Sequence, residues 1–163
     1  MADAIILEVP NVDGECQLDG YTKKIVLTSF SHGLSQPMTT DPTNQERTVG
    51  RVNCQDLTVS KYMDAASVHL INGICTAKNF GACKLYILKA TGGDGAGQTL
   101  ALTIEMNQTM ISSYSVSGGG GPPMETMSLN FTKIIWTYTP QKEDGSLDGN
   151  IPTNWNLALG KKE

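Results

Sequence analysis

The chain has 163 residues, 39% of them hydrophobic and 6% aromatic, with a formal net charge of −4. That length predicts one domain, residues 1–163, large enough for a core of its own. The composition excludes a nucleic-acid footprint, because Lys and Arg form no cluster, and a membrane helix, because no apolar run approaches ~20 residues.

The first ten residues, MADAIILEVP, lack the basic start and long apolar stretch of a secretory signal. The chain is therefore expected to fold in the cytoplasm, and any export must need no cleaved leader. Seventeen glycines among many Ser and Thr predict a β-rich fold with Gly turns.

Residues 4–9 alternate, with Ile5, Leu7 and Val9 on one face of a first strand. The turn pairs Asp13-Gly14 and Asp19-Gly20 follow. Residues 24–30 read as a second strand covered on both faces, since Ile25, Val26 and Leu27 are consecutive. Residues 31–50 carry no periodicity, and a long segment of that kind in a folded domain is usually functional. Residues 55–61 predict a third strand, with Leu57 and Val59 against Thr58 and Ser60. The period then lengthens. Residues 65–77 predict the one helix, with Asp64 as N-cap, Val68, Ile71, Ile74 and Cys75 on its apolar face, and Asn79 and Gly81 ending it. His69 falls on the solvent side.

Residues 83–90 are a strand. The TGGDGAGQ run at 91–98 lacks the Gly-Lys-Ser/Thr of a phosphate loop and lies between two strands, so it reads as a hairpin loop. Residues 99–117 read as one long strand kinked at Asn107, because that phase collects Met110, Tyr114 and Val116. A turn at Asn107-Gln108 would instead collect Thr109, Ile111 and Ser113. After the turn at Gly118, Gly119, Gly120, Gly121, Pro122 and Pro123 comes the strongest β signal, residues 124–138. Its phase changes: Met127, Leu129 and Phe131 are odd, whereas Ile134, Trp136 and Tyr138 are even. The strand carries a bulge near Lys133 or exchanges its buried face there. Pro140 and Asp144-Gly145 end it, and Trp155, Leu157 and Leu159 pack a tail back on the body before residues 161–163 fray.

Residues 99–132 hold two charges, Glu105 and Glu125, where the chain's 17% charged content would place about six. Their polar positions are Thr103, Ser113, Ser115, Ser117, Ser128, Asn130 and Thr132. A solvent face normally carries mixed charge, and sheet edges are guarded by it. A neutral face of small polar side chains points to contact with another protein or to a hydrated cavity.

No catalytic set is visible. There is no G-x-S-x-G, no paired His motif and no calcium loop, so an enzyme is not expected and no cofactor is implied. Cys16, Cys54, Cys75 and Cys83 share no C-x-x-C spacing and, with only His32 and His69 beside them, predict buried free thiols and not a metal site. The sequons at Asn107 and Asn130 lie in strands and read as chance matches.

The runs 52–57 (VNCQDL), 60–64 (SKYMD), 128–131 (SLNF) and 138–142 (YTPQK) with Asp144-Gly145 resemble the haemolysin-coregulated protein (Hcp) family of type VI secretion. Residues 6–15 (ILEVPNVDGE), 30–36 (FSHGLSQ) and Trp155-Asn156 fit as well. The likeness spans nearly the whole chain in order. It departs at Gly121-Pro122-Pro123 and in the four cysteines.

The resemblance implies a mainly β fold, a compact β-barrel of two packed sheets with one flanking α-helix, related to phage tail tubes. It implies hexameric rings that stack into an exported tube, effector proteins in the lumen, and spike and sheath components as further partners. The loop with Pro37, Thr40, Pro42, Asn44, Arg47 and Gly50 would contact a neighbouring subunit or ring. Ser113, Ser115, Ser117 and Gly118 to Gly121 would lie at the lumen or ring edge. A ligand- or carbohydrate-binding β-barrel module is the alternative, but such a site wants exposed aromatics and this chain has ten aromatic residues in all.

Overall fold

A computed structural model describes residues 4–40, 42, 49–90, 98–141 and 149–163. Of the expected hairpin loop at 91–98, residues 91–97 lie outside the described residues and Gln98 already belongs to a strand; the Asp144-Gly145 turn, Asn44 and Arg47 also lie outside them. The described chain is mainly β, with one helix, as the sequence predicts. Strands β1 (Ala4–Glu8), β2 (Ile25–Leu27), β3 (Ser29–Ser31), β4 (Leu34–Ser35), β5 (Asn53–Cys54) and β6 (Leu57–Tyr62) precede α1 (Ser67–Cys75). Strands β7 (Cys83–Ala90), β8 (Gln98–Asn107), β9 (Met110–Ser117), β10 (Met124–Asn130), β11 (Lys133–Tyr138) and β12 (Ile151–Asn156) follow.

Two sheets enclose the core. One has the order β12-β11-β8-β7-β1-β2, the other β3-β6-β10-β9, and β4 with β5 makes a small third. The sheets do not close into one barrel among the described strands. Every pairing is antiparallel. Between the two main sheets, Leu27, Leu57, Val59, Leu85, Ile104, Met127 and Ile134 are buried together. The far face of the six-stranded sheet is also partly covered: Ile6, Cys16 and Leu88 pack with Tyr21 and Tyr86. This is why β1 is buried at both Ile6 and Leu7, where alternation predicts one face.

Four times the chain leaves one main sheet for the other. Once it does so through α1, and at each of the other three points a predicted long strand is in fact two. The predicted strand at 24–30 divides at Thr28, whose N–H donates to Ser60 O at 2.8 Å. Val26 is 48% exposed and not covered. The strand predicted at 99–117 divides at Gln108, which has φ +52°. Here Thr109 N–H donates to Gly81 O at 3.0 Å and Phe80 N–H to Thr109 O at 2.9 Å, so the crossing is stitched to the segment after the helix. Neither expected phase of residues 109–116 is complete. Thr109 and Ile111 are buried, then the register slips at Ser112, and Tyr114 opposite Met127 continues the inward set. The strand at 124–138 exchanges its buried face, one of the two alternatives its phase change allows. Leu129 and Phe131 face the core from one side of the crossing and Ile134 from the other.

The helix forms where the period lengthens, but its buried face is Ala66, Ser67, Leu70 and Gly73. Val68, expected inside, is 71% exposed, and Cys75 is exposed. The shift follows from where the helix starts: Asp64 Oδ1 accepts from Ala66 N–H at 3.0 Å and caps a turn preceding α1. Its end is set by Ala77, at φ +52°, with Lys78 N–H on Gly73 O at 2.8 Å and Ala77 N–H on Ile74 O at 3.3 Å. This is a Schellman arrangement placed before Asn79 and Gly81.

Gly73 lies against the buried Phe80 ring so closely that a Cβ would strike it. A helical Gly→Ala exchange ordinarily gains about 1 kcal/mol. Gly73→Ala should instead lose about 1–3 kcal/mol by overpacking. Denaturant unfolding checks this, and a stabilised variant would show that Phe80 is free to shift.

The remaining corrections concern the loop and the tail. Within the 31–50 segment, β4 pairs β5 and Met38 bridges Val49. Residues 151–156 form an edge strand, and residues 161–163 are tied rather than frayed. Lys133 meets Glu163 at 3.1 Å, and Glu163 N–H donates to Asn154 Oδ1 at 2.8 Å. Trp155 and Leu157 pack on the core as expected, whereas Leu159 is exposed.

Candidate functional site

The outward side of the four-stranded sheet is built by alternation. Leu57, Val59, Met127, Leu129 and Ile111 point to the core, so their neighbours point out. Register then aligns two rows across all four strands. Ser29, Ser60, Thr126 and Ser115 form one, and Ser31, Thr58, Ser128 and Ser113 form the next. Every position in both rows is a hydroxyl. Ser113 Oγ donates to Ser128 Oγ at 2.9 Å, and the Ser60 and Thr126 hydroxyls lie 3.3 Å apart. At one end the rows give way to Tyr62, Met124 and Ser117. At the other, the slipped Ser112 donates to Asp56 Oδ2 at 2.6 Å, and Asn130 Nδ2 donates to Asp56 Oδ1 at 2.9 Å.

The expected lumen residues Ser113, Ser115 and Ser117 therefore do share one exposed face. Gly118 to Gly121 extend from it in the β9–β10 turn, where Gly120 adopts φ +97°. Thr103 does not belong: it lies on β8 in the other sheet, opposite Tyr86 and Thr137. Ser29, Ser31, Thr58, Ser60 and Thr126 do belong and were not expected there. The Thr58 and Ser60 alternation beside Leu57 and Val59 was the available signal. Of the expected contact loop, Pro37, Thr40 and Pro42 are exposed. Gly50 N–H donates to Pro37 O at 2.8 Å, which joins the two ends of that loop.

Behind the hydroxyl face lies an ionic network. The same alternation that buries Leu57 and Val59 buries Lys61, and Glu125 sits opposite it in register. Both are fully buried. Lys61 Nζ meets Glu125 Oε2 at 2.7 Å and Asp64 Oδ1 at 2.8 Å, and donates to Ser67 Oγ at 2.8 Å. Ser67 Oγ donates to Glu125 Oε2 at 2.8 Å, and Tyr114 Oη donates to Glu125 Oε1. Burial pushes the Glu125 carboxyl up, but hydrogen bonds from Lys61, Tyr114 and Ser67 together hold it below its ordinary value. The network fastens the start of α1 to the sheet that carries the face.

All four cysteines are free, but only Cys16 and Cys83 are buried; Cys54 is half-buried. Burial pushes the Cys83 thiol up to about 11, consistent with an inert core position. His69 is exposed on the helix, as expected.

Residues 6–138 match the family described as "Type VI secretion system effector, Hcp". The chain is 36% identical over 110 residues to Protein hcp1 of Pseudomonas aeruginosa, a match covering 66% of each chain. It superimposes on "Structure of a type six secretion system protein" with a TM-score of 0.90 at 28% identity, over 99% of this chain and 100% of that one. It shares the fold of Hcp1 from Salmonella typhimurium, with a TM-score of 0.80 at 22% identity over the full length of both chains. Fold and family thus agree with the motifs at residues 52–64 and 128–142, and the chain belongs to the Hcp family of type VI secretion proteins.

Proposed function

We propose that this protein is the repeating subunit of a type VI secretion inner tube, its residues 1–163 acting as one tube domain. Six copies close into a ring with the hydroxyl face towards the lumen. Rings stack, carry small effector proteins, meet spike and sheath components, and are secreted.

The observation that carries this reading is the pair of uncharged hydroxyl rows spanning the whole four-stranded sheet. The outer strands of that sheet, β3 and β9, each have one neighbour among the described residues. Edges without charge invite another strand. A head-to-tail contact that brings the β9 side of one copy to the β3 side of the next closes into a ring when the rotation fits. Such a wall is hydrated, yet it has no dense charge to hold a passing protein. The loop carrying Pro37, Thr40, Pro42, Asn44, Arg47 and Gly50 would reach a neighbouring subunit or ring, and Gly118 to Gly121 would lie at the ring edge.

Native mass measurement and electron microscopy of concentrated protein should show rings; a single-chain species throughout would refute the proposal. Ser113→Arg with Ser115→Arg should leave rings intact and reduce cargo co-purification severalfold. Undiminished cargo would remove these residues from the lumen.

A further inference from the structure

The two ends of the four-stranded sheet are built differently. At one end β10 parts from β6 beyond Leu57, but the pairing of β3 with β6 runs on. Gln55 N–H donates to Gly33 O at 2.9 Å, Leu34 pairs with Cys54, and Ser35 pairs with Asn53. Gly50 N–H then donates to Pro37 O at 2.8 Å, and Met38 bridges Val49. Strands β4 and β5 are thus the stem of a two-stranded arm that carries β3 and β6 past the end of the sheet. Its Leu34, Met38 and Val49 are 49–54% exposed, and Arg51 beside them is exposed as well.

The opposite end holds a hollow. There Met124 lies opposite Tyr62, and the chain passes from β2 to β3. Val26, Thr28, Tyr62 and Met63 line a cavity of about 260 Å³, together with Glu15 and Asp64. Val26, Tyr62 and Met63 are 44–52% exposed. Apolar side chains gathered in the open mark a contact surface.

We propose that this hollow is the socket for the arm of a second copy of this chain, with Met38 and Val49 entering between Val26, Tyr62 and Met63. The proposal rests on the tube reading above and assigns the contact by which one ring stands on the next. The arm cannot fill its own socket. The six residues of β6 separate them, about 20 Å at ~3.3 Å per residue.

Charge matches as well. Asp64 is paired with Lys61, but Glu15 at the socket and Arg51 on the arm take part in no salt bridge among the described residues. Their opposite signs fix the register of the contact more than they strengthen it. Met38 and Met63 are unbranched and fill an irregular gap readily. Direction follows from the ring: with the edges β3 and β9 used between neighbours, the strand ends become the two ends of the ring. Plug and socket are different surfaces at those ends, so the contact is head-to-tail and repeats without closing.

Met38→Asp and Met63→Asp are each made in the full chain, with rings counted by native mass measurement and stacks by electron microscopy. Each variant should keep its rings and lose stacking by about tenfold or more, since the contact would bury an unpaired charge. An equal mixture of the two should form double rings and nothing longer. In it one ring supplies an intact arm, the other an intact socket, and the double ring presents only the altered surfaces. Either variant stacking like the parent, a mixture without double rings, or parent rings that stack at no soluble concentration would overturn the socket and leave the ring reading standing. Variants without rings would put the contact inside the ring and overturn it too. A parent that forms no rings would refute the tube reading itself, and the socket with it.

Discussion

Lys61→Met is expected to destabilise the protein by about 3–5 kcal/mol, because it strands a fully buried carboxylate. Lys61 Nζ is the only cation within reach of Glu125 among the described salt bridges, at 2.7 Å, and both side chains are fully buried. Denaturant unfolding at one protein concentration measures the loss; the concentration must be fixed because assembly adds to apparent stability. Lys61→Met with Glu125→Leu should recover most of it, since a buried pair replaced by apolar groups is often neutral. A single-variant loss below about 1 kcal/mol, the range of exposed pairs, would mean that water reaches the network in solution.

The network also sets a direction with pH. Glu125 is held below its ordinary value of 4.5, so the unfolded chain takes up its proton first as the pH falls. Its contribution to stability is present above about pH 4.5 and is lost as pH falls through the folded value. The gap in stability between the parent and Glu125→Gln should therefore narrow on acidification through that window.

Phe131→Ala is expected to cost about 3–5 kcal/mol, the range for removing a buried aromatic ring. Phe131 is 4% exposed and lies where the chain passes from β10 to β11, so its ring fills the junction between the two main sheets. The unfolding midpoint should fall accordingly. Ser128→Ala, on the outward face of the same strand, should stay within about 0.5 kcal/mol. Comparable losses at both positions would contradict the assigned faces of β10.

The alternation at Leu57 to Ser60 made one face of β6 legible. The odd-to-even change between Phe131 and Ile134 made a break in the strand legible, as a bulge or an exchange of faces, and the fold takes the second. The β9–β10 hairpin was legible too, in the glycine run at 118–121. The other two crossings that split a predicted strand were not. At Gln108 the turn that separates β8 from β9 depends on a backbone conformation a glutamine seldom takes, and on bonds to Phe80 and Gly81 that a local pattern does not contain. The helix face was misread for a similar reason: Gly73 is buried because Phe80 fills the space beside it, and hydrophobicity alone ranks Val68 above it.

The sequence by itself determined the β class, the helix, the family motifs and the neutral character of residues 99–132. Tertiary structure alone decided that the hydroxyls of β3 and β6 complete that neutral face, that Lys61 is inside, and that β4 and β5 continue β3 and β6 as an arm. Period and phase are relations between near neighbours along the chain, so alternation records them. Which strands lie side by side is settled by core packing and loop closure across long separations, where no local pattern carries the answer.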